Sequence, residues 1–130
     1  MIVVDTSAML EVLLNTRAGA RVAERLFAPN ETVHAPHLLD VEVAQVLRRY
    51  ARTGALEPER GQQALEDLAG FPLFRYPHDL FLPTIWQLRA NVTAYDAAYL
   101  ALAEALRAPL VTRDRRLASI PGHRARVELV

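Results

Sequence analysis

The chain has 130 residues and no cysteine, is 52% apolar, and carries 15 acidic and 15 basic residues for a formal net charge of zero. That length fits one domain over residues 1–130, able to bury roughly two-thirds of the surface its unfolded chain exposes. Disulfides, thiolate metal sites and cysteine nucleophiles are excluded. The absence of any apolar run of about 18 residues and of a basic leader before Asp5 predicts a cytoplasmic protein without a membrane association.

Residues 2–4 are a β-branched run that reads as a buried strand ending at Asp5. Thr6 and Ser7 are placed to cap a helix over 8–15, and Ala18 to Ala28 reads as a second helix stopped by Pro29-Asn30. A short strand follows at 32–34. Leu39, Val43, Val46, Leu47 and Tyr50 form one apolar stripe that predicts a helix over 37–52, ended by Thr53-Gly54. Pro58 opens a helix to about Ala69, 73–76 reads as a strand, and 79–90 as a helix. A strong helix over 93–107 precedes strands at 110–112 and 127–129. Short strands alternating with helices predict an α/β protein, a three-layer α/β/α sandwich around a short parallel sheet.

In such sheets ligands sit beyond the carboxyl ends of the strands. Asp5 ends the first strand and Asp114 follows the strand at 110–112, positions that also suit a turn residue or helix cap. Asp96 lies in the first turn of a helix continuing Ala97-Ala98-Tyr99-Leu100-Ala101-Leu102-Ala103. A helix apolar on nearly every side is buried, and an acid at its start must be paired, capping or bound to a metal. Thr93 to Asp96 matches a capping box, which is compatible with a second role. Glu42 and Asp40 flank opposite edges of the stripe on the helix 37–52, and the helical wheel does not choose between them. Carboxylates gathered at one point repel and raise one another's pKa. A hard cation, Mg²⁺ or Mn²⁺, relieves that repulsion with oxygen ligands and suits phosphodiester hydrolysis.

At these residues the sequence resembles the PIN-domain nucleases, most closely the VapC-type toxins of bacterial toxin–antitoxin pairs. Met1-Ile2-Val3-Val4-Asp5-Thr6-Ser7-Ala8 is similar to the family's opening strand and first acid. Leu38-Leu39-Asp40-Val41-Glu42-Val43 resembles the second motif, with Glu42 at the functional acid. The segments from Tyr95 to Ala103 and from Leu110 to Leu117 resemble the third and fourth, with Asp96 and Asp114 as their acids. Four motifs in order span nearly the whole chain. Many relatives have further acids after the fourth motif, where this chain has Arg115-Arg116.

The resemblance implies a metal-dependent endoribonuclease that cuts structured RNA, a homodimer and a small cognate antitoxin. It implies Asp5 and Asp96 as principal metal ligands, Asp114 as a direct or water-mediated ligand, and Glu42 as a ligand or orienter of the attacking water. Ser7 and Thr112 are placed to hydrogen-bond a metal-bound water or the phosphate, and Arg113, Arg115 and Arg116 to hold RNA phosphates. The alternatives are a catalytically inactive PIN module that binds RNA or a protein, and a PIN nuclease of general RNA processing.

All 15 basic residues are arginine. The lack of lysine removes the usual catalytic group of a haloacid-dehalogenase-like phosphatase and of a phospho-receiver domain. The former also wants a second Asp where Ser7 stands. His34 and His37 form a lone HxxH without the further ligands zinc requires.

Overall fold

The computed structural model describes residues 1–130. Its centre is a five-stranded sheet of β1 (Ile2–Val4), β2 (Val33–Pro36), β3 (Leu73–Tyr76), β4 (Leu110–Thr112) and β5 (Val127–Leu129). All neighbouring strands are parallel, in the order β3-β2-β1-β4-β5. The three innermost strands are buried at every residue, as helices on both faces of a parallel sheet require. Their sequences are accordingly mostly apolar rather than alternating, with His34 and Thr112 as the buried polar exceptions.

The helices are α1 (Thr6–Leu13), α2 (Gly19–Leu26), α3 (Leu38–Thr53), α4 (Pro58–Gly70), α5 (Leu82–Gln87), α6 (Ala94–Leu106) and α7 (Arg115–Ser119). α1 packs on α2, α3 and α4, whereas α6 packs on β1, β2 and β4 with α5 beside it. Right-handed crossovers put the helices linking β1 to β3 on one face. The reversed direction from β3 to β4 puts α5 and α6 on the other. The result is the expected three-layer sandwich around one core, in which Ala97 to Ala103 of α6 are all buried. No helix is long and apolar enough to cross a membrane.

Several boundaries differ from the sequence reading. α1 starts at Thr6, two residues early, because Asp5 rather than Thr6 or Ser7 is its N-cap and accepts from the Ala8 backbone N–H. It ends early because Asn15 takes a left-handed φ of 50°. β2 runs on to Pro36, whose missing N–H costs nothing at a strand end: the next residue, His37, donates to the Tyr76 carbonyl. The helix expected over 79–90 is a 3-10 turn at Asp79–Phe81 followed by α5, with Pro83 in its first turn. α7 was not anticipated; five residues give too short a window for periodicity.

Candidate active site

The strand order reverses between β1 and β4, so a crevice opens beyond their carboxyl ends. Asp5 leaves β1 there, and Asp114 follows β4 by two residues. α3 brings Glu42 to the crevice from one face of the sheet and α6 brings Asp96 from the other. All four carboxylates line one cleft of about 360 Å³. A larger depression of about 590 Å³ lies at the opposite edge of the sheet, around the residues that lead into β4 and β5. It contains a single acid, Glu104, and so offers no comparable set of oxygen donors.

Asp5 is 6% exposed and is the most constrained of the four. One carboxylate oxygen accepts from the Ser7 hydroxyl at 2.6 Å and the Ala8 N–H at 3.0 Å, and the other accepts from the Thr112 hydroxyl. Burial pushes its pKa up; the bonds from Ser7, Thr112 and Ala8 oppose this, and the charge of Asp96 adds to it. Thr112 is fully buried. Its oxygen accepts from the Asp114 N–H at 2.9 Å, while the Ser7 oxygen accepts from the Arg113 N–H at 2.9 Å. The two hydroxyls lie 3.3 Å apart. Ser7 and Thr112 thus lock the loop after β4 to the end of β1 and hold Asp5 in one orientation.

Asp96 sits on the first turn of α6, whose N-cap Thr93 accepts from the Asp96 N–H at 3.2 Å. The cap bond uses the Asp96 backbone, and the carboxylate lines the cleft while interacting weakly with Thr93. Burial raises its pKa, Arg116 pulls it down, and Asp114 and Glu42 push it up again. Asp114 caps α7 through the Arg116 N–H and accepts two bonds from the Arg116 guanidinium, at 2.6 and 3.2 Å. That ion pair holds its pKa below the ordinary carboxylate range.

Glu42 is fixed by two residues that sequence reasoning missed. Tyr99, 2% exposed on α6, donates its hydroxyl to Glu42 Oε1 at 2.6 Å, and the Thr6 hydroxyl donates to the same oxygen at 3.1 Å. Burial and the neighbouring Glu42 drive the Tyr99 phenol far above its ordinary range. The signal lay in the sequence, because a buried tyrosine needs a partner for its hydroxyl and Tyr99 stands one turn after Asp96. Asp40 points elsewhere: it forms a two-point ion pair with Arg75, with contacts of 2.7 and 3.1 Å.

Of the three arginines around Asp114, only Arg115 has a side chain without a hydrogen-bond or ion-pair partner. Arg116 is paired with Asp114, and Arg113 donates to the Val130 carbonyl and lies 3.7 Å from Glu11. His34 is buried between the Thr32 and Tyr76 hydroxyls, at 2.8 and 2.7 Å, so its ring nitrogens are already used.

The donor set is entirely oxygen, which fits a hard cation. No three acids form a preformed cage, since Asp114 is turned onto Arg116 and Glu42 onto Tyr99. Mg²⁺ does not demand one: it keeps several waters and uses one or two carboxylates together with substrate phosphate.

Comparison with known proteins agrees with this architecture. The PIN domain family model matches residues 2–122. Ribonuclease VapC12 of Mycobacterium tuberculosis is 44% identical over 130 residues, covering 100% of this chain and 99% of its own. VapC ribonuclease Mb0985 of Mycobacterium bovis is 47% identical over 117 residues, covering 90% and 88%. Among solved structures, VapBC2 from Rickettsia felis, bound to a DNA fragment from its promoter, superposes with a TM-score of 0.74. It is 18% identical and the match covers 100% of this chain and 99% of that one. With a sheet that reverses at β1, acids gathered at that reversal and full-length similarity of this degree, the chain belongs to the PIN-domain family, among its VapC-type toxins.

Proposed function

We propose that this protein is a magnesium-dependent endoribonuclease, with Mn²⁺ as an alternative ion, that cleaves phosphodiester bonds in structured RNA as the toxin of a toxin–antitoxin pair. The observation that carries this reading is the convergence of Asp5, Glu42, Asp96 and Asp114, from four separate elements, on one cleft. The names of the curated relatives, ribonucleases throughout, support the substrate class.

Asp5, Asp96 and Asp114 would hold the ion, with Glu42 beside them. A bound divalent ion supplies charge neutralisation at the phosphate and a water of lowered pKa. The protein's own part is positioning. Ser7, Thr112 and the Ala8 N–H hold Asp5 in a fixed rotamer, so no reorganisation is needed when charge develops. Tyr99 and Thr6 occupy one oxygen of Glu42, which leaves the other to orient a water or accept its proton. The hydrolysis would then form a bond from the water oxygen to phosphorus, pass that water's proton to Glu42 and break the bond to the leaving sugar oxygen, which takes a proton from solvent water. Arg113, Arg115 and Arg116 flank the cleft as phosphate contacts; Arg116 must first exchange Asp114 for the substrate.

A small antitoxin that covers the cleft, a homodimer, one domain over 1–130 and a cytoplasmic location complete the proposal. The toxin–antitoxin complexes among the structural neighbours, from Klebsiella pneumoniae and Salmonella typhimurium, support the partner class. The test is incubation of the antitoxin-free protein with total RNA in Mg²⁺ or Mn²⁺, with EDTA and Asp96→Asn as controls. Metal-dependent endonucleolytic products that vanish in both controls are expected. No cleavage by intact protein overturns the reading.

A further inference from the structure

The net charge of zero conceals an uneven distribution. α3 ends in Arg48, Arg49 and Arg52 with no acid between Glu42 and Glu57. None of the three forms an ion pair, which only Arg25, Arg75, Arg113 and Arg116 among the arginines do. Gln45, Arg48, Arg49, Arg52 and Thr53 line one depression that contains no apolar residue. Arg49 also lines the cleft of the four carboxylates. Its guanidinium lies over the Tyr50 ring, 5.6 Å from the centroid, and Tyr50 lines that cleft as well.

Spacings of three and four residues make Arg48 and Arg49 neighbours of Arg52 on the helix surface, where like charges repel. The negative end of the α3 dipole repays part of this for a cation in the last turn, but it does not require three. Guanidinium forks match phosphate oxygens in two-point contacts. From Glu42 to Arg52 is ten residues, or about 15 Å along the helix axis. The arginines therefore begin inside the cleft and lead outward from it.

We infer that the end of α3 is a backbone track for an unpaired stretch of the structured RNA, in which Arg49, Arg48 and Arg52 hold successive phosphates on one side of the scissile bond. This rests on the ribonuclease reading and adds the path by which the substrate leaves the cleft. It also assigns phosphate holding to residues outside the Arg113–Arg116 group, two of which are already engaged within the protein. An acidic protein segment is the competing occupant; the continuity of the arginines with the carboxylate cleft favours the nucleic acid, because a hard cation held there would take substrate phosphates as ligands beside one or two carboxylates.

The test measures binding apart from cleavage. A fluorescein-labelled single-stranded oligoribonucleotide is titrated by anisotropy at several salt concentrations, with the full chain carrying Asp96→Asn to prevent turnover. Adding Arg48→Gln and Arg52→Gln should flatten the slope of log K against log salt by about 1.4, at about 0.7 per lost phosphate contact with a single strand. The charge-matched Arg17→Gln/Arg21→Gln pair on and beside α2 should leave it unchanged. In the cleaving parent background, the α3 pair should raise KM with kcat held within about twofold, as loss of uniform binding does. An unchanged slope while the parent still cleaves RNA overturns the track and leaves the ribonuclease reading standing. A flattened slope with a parent that does not cleave supports the track as an RNA surface and overturns the nuclease. No binding at all, or equal displacement of the RNA by poly-glutamate of matched charge, overturns the track.

Discussion

Replacing Asp96 by Asn should make the metal-free protein more stable and the metal-bound protein less so. In the free protein this carboxylate is half-buried and shares its cleft with Asp5, Glu42 and Asp114. Its pKa is raised from the usual 3.8, so its protonated form is the one the fold favours. That contribution is complete below the unfolded pKa and is lost as pH rises through the raised folded value. At pH 7 the ionised group therefore works against folding. Asn has the same shape, keeps the backbone N–H that Thr93 accepts from, and carries no charge. After allowance for solvent screening and for the attraction of Arg116, the gain should be about 1 kcal/mol, the size of one like-charge contact in a partly wet site. For a domain of this length that is a rise of about 3–5 °C in Tm at pH 7, shrinking towards zero near pH 3. Metal reverses the order, because an ion present at about 100 times its Kd adds about 2.7 kcal/mol to the parent and much less to the variant. Thermal melts of both proteins, with and without Mg²⁺ and at the two pH values, give all the comparisons. A metal-free variant less stable than the parent at pH 7, or equal stabilisation of both by Mg²⁺, would refute the assignment of Asp96 as a repelled ligand.

Tyr99→Phe removes the hydroxyl that holds Glu42 and leaves Thr6 as its sole donor. Expected are a loss of about 1–2 kcal/mol in denaturant melts and a fall of about tenfold in kcat with KM little changed. Gly19→Ala should cost about 2–3 kcal/mol, because a Cβ there would stand 2.3 Å from the Glu11 carbonyl where α2 meets α1, and backbone must move. Glu31 accepts from Arg25 and the N-terminal amine, which lower its pKa from 4.5. That stabilisation is present above the unfolded pKa and disappears as pH falls through the lowered folded value. Glu31→Gln should therefore lose about 1 kcal/mol at pH 7 and converge with the parent in acid, as read by melts across the range.

The sheet, its parallel sense and the helix between Thr93 and Arg107 were legible because buried strands are mostly apolar runs and α6 is apolar all round. The short pieces were harder. Pro83 divides a segment that reads as one helix, and α7 depends on a cap, Asp114, rather than on a stripe. Among the acids, strand ends pointed to Asp5 and Asp114 by topology alone. Glu42 and Asp40 were indistinguishable on a helical wheel, since what separates them lies on other elements: Arg75 on β3 takes Asp40, and Tyr99 on α6 takes Glu42. The roles of Ser7 and Thr112 were equally hidden, because their partner Asp5 is two residues from one in sequence and 107 residues from the other.

That last separation bears on how the protein is made. Asp5, Ser7 and Glu42 are made early, but the second hydroxyl that fixes Asp5, that of Thr112, and the acids Asp96 and Asp114 come more than ninety residues after Asp5. β4 must insert beside β1, closing a loop of more than a hundred residues, before the cleft exists at all. Loop-closure entropy and sequence-distant pairing place such a step late in folding. The cleft is therefore among the last parts of the fold to assemble, after every element that supplies its acids has been made.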